Sequence, residues 1–108
     1  MRQAEVIYKK ETAGLLTQLD DGSFVFTYHN HWFHNTDTPS ISLTLPKTQQ
    51  EYRSKYLFPF FYNMLPEGSN KQTVCFGNRI DTKDHFGILI ITAKQDTIGA
   101  IQIEKIDK

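Results

Sequence analysis

Residues 59–68 constrain the fold of this chain more than any other segment. They read Pro-Phe-Phe-Tyr-Asn-Met-Leu-Pro-Glu-Gly. Pro59 suits the first position of a helix, because the backbone N–H that proline lacks would have no partner there. Phe61 and Leu65 are one helical turn apart. Pro66 disfavours helical geometry at the residue before it, so this first helix is predicted to end at Leu65.

A second helix is predicted directly after this segment. Ser69 offers a hydroxyl N-cap, and Gln72 three residues later completes a capping box. Gly77 is predicted to end the helix, and Cys75, with its apolar neighbours Val74 and Phe76, is predicted to lie in the core. Residues 65–69 should therefore form a tight polar corner between two short helices.

The first half of the chain has the alternating pattern of β-strands. An Asp-Asp-Gly turn at residues 20–22 separates two apolar runs, which is a strong hairpin signal. Similar alternation recurs between Pro39 and Pro46 and again near the carboxyl end. Strands are predicted over residues 5–8, 14–19, 23–28, 40–45 and 98–103, with Ile101 and Ile103 on one face of the last.

The segment 81–94 fits either a helix or a buried strand. Phe86, Leu89 and Ile90 have helical spacing, and Asp81 or Thr82 could cap a helix, so a helix is favoured. Strands followed by helices and a final strand predict one α+β domain over residues 1–108. Its small, mainly antiparallel or mixed sheet should be capped by helices near 58–65, 69–77 and 82–94.

Composition limits the classes of function. Lys plus Arg equals Asp plus Glu, at 12 each, and no basic cluster indicates nucleic-acid binding. Cys75 is the single cysteine, so no internal disulfide is expected. The polar start and the lack of a long apolar run predict neither a signal peptide nor a membrane span. A cytoplasmic protein without a cofactor is expected.

Two patterns raise an enzymatic alternative. His29 and His31 would share one side of a strand, as paired metal ligands can, with His34 and Asp37 nearby. Glu67 with Asp84, or Cys75 with His85, would need the fold to bring them together. No phosphate-binding loop or kinase catalytic motif is present. A non-catalytic protein is therefore expected, and a small metal enzyme is the less favoured alternative.

The decapeptide resembles a signature near the start of HipA-type serine/threonine kinases. Further segments resemble that family in order and spacing, from about Val6 to Ile103. They are the segment 13–16, Phe24-x-Phe26-x-Tyr28-x-x-x-Trp32, the Ser-Ile-Ser-Leu-Thr-Leu-Pro run 40–46, and the segments 86–89 and 96–100. The chain departs from the pattern at Tyr62, where the family commonly has Asp, and at Met64, where it commonly has Leu.

The resemblance implies a binding function. Because the chain ends forty residues after the decapeptide, it resembles the HipS-like proteins of split toxin–antitoxin systems, which are encoded with a shortened HipT-like kinase and a HipB-like helix-turn-helix repressor. The resemblance implies that the chain is an antitoxin or regulatory subunit that binds and inhibits that kinase, with the repressor as a further partner. An assembly scaffold for the same proteins is the alternative. The expected partner-binding residues are those of the corner and of the helix ends beside it, a set called the corner from here on: Phe61, Asn63, Leu65, Pro66, Glu67, Gly68, Ser69, Asn70 and Lys71.

Overall fold

Alternating apolar residues in the first three strands build the centre of an antiparallel sheet. The computed structural model describes residues 1–65, 68–92 and 101–106, and in that part five strands have the order β4-β3-β2-β1-β5. The predicted α+β class and antiparallel sheet are confirmed. The strands are β1 (Arg2–Tyr8), β2 (Glu11–Gln18), β3 (Phe24–Tyr28), β4 (Glu51–Ser54) and β5 (Ile101–Lys105), and the helices are α1 (Asn30–Phe33), α2 (Pro59–Tyr62), α3 (Gly68–Asn78) and α4 (His85–Thr92).

The predicted hairpin is present as β2 and β3. Gly22 has a φ of 90°, a conformation that glycine adopts without the cost it carries for other residues. The Leu19 N–H donates to the Ser23 carbonyl at 2.8 Å, which closes the turn. Across the hairpin, Leu16 pairs with Phe26 and Gly14 with Tyr28. A Cβ at Gly14 would lie 2.7 Å from the Phe26 ring, so this ring packs on the bare backbone of β2.

One face of the sheet and the helices enclose the core. Leu16, Phe26 and Ile103 are fully buried on that face, and the Phe26 ring lies 5.8 Å from the ring of Phe61 in α2. Phe86 of α4 is also fully buried. Each such side chain contributes about 1.5–3 kcal/mol through burial. The predicted placement of Ile101 and Ile103 on one face of the last strand is confirmed, and both are buried, while residues 98–100 lie outside the described part.

The predicted strand over 40–45 is wrong. The segment forms turns, with the Leu45 N–H donating to the Ser42 carbonyl at 3.2 Å. Ile41 and Leu45 are buried, but Leu43, which a strand would place beside them, is 99% exposed. The reason is a tether from the core: the Tyr28 hydroxyl donates to the Leu45 carbonyl and accepts from the Ile41 N–H.

The fourth strand is Glu51–Ser54, which the sequence did not indicate. This segment is polar, and its residues alternate between exposed and half-buried at the edge of the sheet. It pairs with β3, with Phe24 opposite Ser54 and Phe26 opposite Tyr52. Charged residues at such an edge are common, because they discourage pairing with other chains.

The helices occur near the predicted positions but differ in their ends. α2 ends at Tyr62 rather than at Leu65, and α3 begins at Gly68, so Ser69 lies inside the helix and is not its N-cap.

Gly77 lies inside α3, which ends one residue later at Asn78. Arg79 then takes a left-handed conformation with φ 56°, and the Ile80 N–H donates to the Cys75 carbonyl at 2.9 Å. This is the hydrogen bond of a Schellman cap. Cys75 is buried as predicted, but Phe76 is 89% exposed and does not belong to the core.

The start of α4 also differs from the prediction. The helix begins at His85, and its cap is Asp84 rather than Asp81 or Thr82. The Gly87 N–H donates to the Asp84 carboxylate at 3.1 Å, as expected for an N-cap. The preference for helix over strand in this segment is confirmed, with residues 86–90 all buried.

Candidate partner-binding surface

The corner predicted to bind a partner is partly in the core. Phe61 is fully buried and contacts the rings of Phe26 and Phe58, and Leu65 is 8% exposed. Phe61 lies in α2, and Leu65 lies in the turn that follows it, where its N–H donates to the Tyr62 carbonyl at 3.1 Å. These two residues hold the corner on the domain and offer little surface to a partner.

Asn63 is the exposed residue of the described part of the corner. Its backbone N–H donates to the Pro59 carbonyl at 2.9 Å and closes the end of α2. Pro66 and Glu67 lie outside the described residues. The backbone of residues 68–71, predicted as partner-binding, forms the first turn of α3. A binding role for these residues stays a prediction.

A groove lies beside this corner at the β2–β3 turn. Because β4 runs antiparallel to β3 and its last residue is opposite Phe24, the chain leaves the sheet next to the hairpin turn. Lys55 and Tyr56 follow there and are exposed, before Leu57 and Phe58 return to the core. The groove has a volume of about 290 Å³. We call it the basic groove, and its lining includes Phe24, Lys55, Tyr56, Tyr62, Lys83 and His85.

An ion pair between Arg2 of β1 and Asp84, the residue before α4, positions the wall of the basic groove that contains Lys83 and His85. The Arg2 guanidinium donates to both oxygens of Asp84, at 2.6 and 3.0 Å, and lies 5.0 Å from the centre of the Phe86 ring. The bond from Arg2 holds the pKa of the Asp84 carboxyl below its usual value of 3.8, against the opposing effect of burial. This pairing fixes the start of α4, and with it Lys83 and His85, at the end of the sheet.

Aromatic and cationic side chains meet in the basic groove. Tyr62 is 47% exposed, and its ring lies edge-on to the His85 ring at 5.3 Å between centroids. Tyr56 is 72% exposed, with the Lys55 ammonium 6.0 Å from its ring. Within the described ranges, neither lysine ammonium of the groove takes part in an ion pair with a carboxylate.

His29 and His31, the candidate metal ligands, form contacts within the domain instead. His29 follows β3 and His31 lies in α1, so they are not on one side of a strand as predicted. Their rings stack at 5.6 Å, His29 contacts the Glu5 carboxylate at 2.7 Å, and His31 bonds the Thr12 carbonyl. In the part of the chain that the structure describes, no three His, Cys, Asp or Glu side chains are grouped as metal ligands. No described helix has the length and apolar character needed to cross a membrane.

The residues of the basic groove were not predicted as a site. They come from the β2–β3 turn, the segment after β4, α2 and the start of α4, so no local motif contains them. The sequence contained one indication of this site: Tyr62 is aromatic at a position where the family that the chain resembles commonly has Asp. A large apolar side chain on the outward face of a helix is typical of an interface.

A small α+β domain with exposed aromatic and basic side chains around one groove is typical of a protein-binding module. The family model "HipA N-terminal domain" matches residues 4–104. The chain belongs to the HipA N-terminal domain family. This family indicates a role related to toxin–antitoxin systems and a partnership with a kinase or toxin.

Individual relatives agree with this assignment. The structure of the "N-terminal domain of HipA toxin" superposes with a TM-score of 0.74 at 30% identity, over 100% of this chain and 95% of that one. A protein of Haemophilus influenzae described as "Uncharacterized protein" is 34% identical, over 97% of this chain and 93% of its own length. The "Putative kinase Y4mE" of Sinorhizobium fredii is 26% identical over 95% of this chain, which spans only 24% of that protein.

Proposed function

We propose that the chain is a non-catalytic antitoxin or regulatory subunit that binds a HipT-like serine/threonine kinase and holds it inactive. One observation carries the proposal. The same domain accounts for 24% of a protein named as a kinase and for 93% of a protein of nearly this length. A domain that is packed within a kinase in one protein can occupy the same surface from outside when it is a separate chain.

The proposed mechanism is occlusion. The domain docks on the amino-terminal lobe of the kinase, and the corner from Asn63 to Lys71 projects toward the cleft. Asn63 is exposed beside the basic groove, which supports a contact on this side of the domain. A HipB-like repressor would join the same complex. No catalytic step is assigned to this chain.

The proposal is tested with a HipT-like kinase from the same genome, for which the neighbouring gene is the first candidate. The chain, carrying a removable tag, is coexpressed with that kinase, and copurification and kinase autophosphorylation are measured. We expect a stable complex and lower autophosphorylation than in the kinase alone. Absence of a complex under low-salt conditions contradicts the proposal. A complex in which the kinase keeps full activity and toxicity favours the assembly scaffold instead.

The corner is tested by separate variants. Asn63→Arg and Glu67→Arg each place a bulky cation in the proposed contact, and we expect each to weaken kinase binding. Altering a contact residue near the centre of an interface often weakens the binding free energy by about 2 kcal/mol or more. Lys10→Glu, an exposed change at the β1–β2 turn, is the control. Unchanged affinity in both corner variants would remove the corner from the interface without affecting the antitoxin role.

A further inference from the structure

We propose that the basic groove is a docking site for an acidic polypeptide segment that carries an aromatic side chain. The inference deepens the proposed function, and it rests on that function only for the identity of the partner, a kinase. The chemistry of the bound segment follows from the walls of the groove. Two independent features define it, one apolar and one electrostatic.

The apolar feature is a set of aromatic rings that the domain leaves unburied. Tyr56 and Tyr62 are 72% and 47% exposed, whereas most of the other large apolar residues that the structure describes are buried, with Met1, Leu43 and Phe76 as the exceptions. Phe24 lies at the base of the groove and is 6% exposed. Aromatic rings on such a surface contact a partner's apolar or aromatic side chain with favourable edge and face geometry. Their exposure in the free domain therefore indicates a partner.

The size of the groove limits what it accepts. Its volume of about 290 Å³ is at the lower end for ligand pockets, which begin at about 300 Å³. A nucleotide or a large cofactor needs more enclosure than this. One aromatic side chain with its flanking backbone suits such a groove, so a peptide segment is favoured over a small-molecule ligand.

The electrostatic feature is an excess of positive charge over the groove. Among its described lining residues Lys55 and Lys83 are cationic, His85 is a third basic residue, and none carries a carboxylate. The carboxylates of the surrounding segments have partners within the domain. Asp84 is paired with Arg2 at 2.6 Å, and the Asp20 carboxylate lies 2.5 Å from the amino terminus.

Asp21 is held by hydrogen bonds within its own turn and forms no ion pair with a described cation. Its carboxylate accepts from the Ser23 N–H at 2.9 Å and from the Ser23 hydroxyl at 2.6 Å. The Asp81 carboxylate accepts from the Lys83 N–H at 2.8 Å. Lys55 and Lys83 are cations of the groove with which no described carboxylate forms an ion pair, although the chain as a whole has a formal charge of zero. Charge complementarity favours an occupant rich in Asp or Glu, and it predicts binding that weakens as salt is added.

The first test uses the labelled chain and synthetic peptides. The probe is a five-residue peptide with a central tyrosine flanked by two acidic residues on each side, and its control has lysines in place of the acids. Backbone amide shifts are followed by NMR during titration at low salt. We expect shifts at residues 55–57, 62 and 83–85 with the acidic peptide and none there with the basic peptide.

Matched variants decide whether the groove is responsible. Lys55→Glu with Lys83→Glu should abolish the shifts, whereas Lys9→Glu with Lys10→Glu, the same charge change at the β1–β2 turn, should leave them. Both pairs are exposed, so melting temperatures should match that of the wild type. Equal loss in both pairs, shifts confined to another surface, or no shifts at millimolar peptide would each overturn the proposal. Stronger binding of a single-stranded oligonucleotide at the groove would also overturn it.

The second test uses the kinase. Lys55→Glu with Lys83→Glu should weaken kinase binding by about tenfold or more at low salt, with a smaller loss at high salt. An unchanged affinity for the kinase would show that the groove does not hold this partner and would overturn the inference. If the wild-type chain binds no kinase, the proposed function fails, while the peptide titration still decides the chemistry of the groove.

Discussion

Two grooves of similar size lie at opposite ends of strand β2. They differ in whether their lining side chains are bonded within the domain or left exposed. The basic groove, near Gln18, has a volume of about 290 Å³, and a second groove, near Glu11, has about 310 Å³. We call the second one the Trp32 groove, and its lining includes Tyr8, Lys9, Glu11, Trp32, Asp37 and Pro39. Volume alone does not distinguish them.

The walls of the Trp32 groove are engaged within the domain. The Trp32 indole N–H donates to the Pro39 carbonyl at 2.9 Å, and the Trp32 carbonyl accepts from the Thr38 hydroxyl. The Tyr8 ring lies edge-on to the Trp32 ring at 5.6 Å. Trp32 is 2% exposed, against 47% for Tyr62 in the basic groove. An aromatic residue in a groove therefore indicates a partner only when the fold leaves its ring exposed.

The largest expected effect is at the Trp32 groove. Trp32→Ala removes a buried ring and its hydrogen bond to Pro39, so we expect a loss of about 3–5 kcal/mol in the free energy of unfolding. Urea denaturation followed by circular dichroism measures it. A loss below about 1 kcal/mol would mean that Trp32 is available to a partner, and the contrast between the grooves would fail.

The next effect concerns the tether of segment 40–46. Burial raises the pKa of the Tyr28 hydroxyl above its usual value of 10.0, and this hydroxyl bonds both Leu45 and Ile41. Tyr28→Phe leaves a buried carbonyl and N–H without that partner, so we expect a cost of about 1–3 kcal/mol. Hydrogen exchange at Ile41 should accelerate in the variant.

Tyr52→Phe is the matched control for this variant. The Tyr52 hydroxyl donates to the Pro46 carbonyl at 2.6 Å from a half-buried position, so its loss should cost less, about 0.5–1.5 kcal/mol. Equal costs for the two variants would show that Tyr28 does not hold the segment in place. Peptide binding in the basic groove should be unaffected by either change.

Local patterns predicted the centre of the fold well. The alternation of Phe24, Phe26 and Tyr28 and the Gly22 turn give the β2–β3 hairpin, because strand period and turn chemistry depend on neighbouring residues. The same reasoning failed for segment 40–46. There the alternation is real, but hydrogen bonds from Tyr28, thirteen and seventeen residues away, hold the backbone in turns.

The basic groove depends on contacts between distant residues, which no local pattern contains. Arg2 and Asp84 are 82 residues apart in the chain, and their ion pair brings the start of α4 to the hairpin turn. Lys55 reaches the same place only because polar strand β4 pairs with β3, and this strand had no recognisable alternation. Within the predicted corner, helical spacing alone could have indicated that Phe61 and Leu65 face the core.

The ion pair offers a smaller and more informative test of how the basic groove is built. Asp84→Ala removes both the N-cap of α4 and the bond to Arg2, and we expect a cost of about 0.5–2 kcal/mol. Near neutral pH, Asp84→Asn should lower the free energy of unfolding by less than Asp84→Ala does, since asparagine also caps helices. Asp84→Ala should also disorder the wall of the basic groove at the start of α4 and weaken peptide binding there.

The acid dependence of that variant has a definite sign. The pKa of Asp84 is lowered in the folded state, so its charge contributes stability above its usual value of 3.8. That contribution is lost as the pH falls through the lower folded-state value. The stability difference between wild type and Asp84→Asn should therefore shrink below pH 3.8. A difference that is constant from neutral pH into this range would exclude a role for the carboxylate charge.

The smallest expected effect on stability, and the sharpest on function, is at Tyr62. Because its ring is half exposed, Tyr62→Ala should change the free energy of unfolding by only about 0.5 kcal/mol. Its neighbour Phe61 is fully buried, so Phe61→Ala should cost about 3–5 kcal/mol and serves as the structural control. Peptide and kinase binding by Tyr62→Ala are measured at a temperature where it is fully folded. Binding should fall clearly below that of the wild type, since the variant loses a contact ring and keeps the fold. Wild-type binding by a folded Tyr62→Ala variant would show that exposure of this aromatic residue does not indicate a partner, and the contrast with Trp32 would then lose its functional meaning.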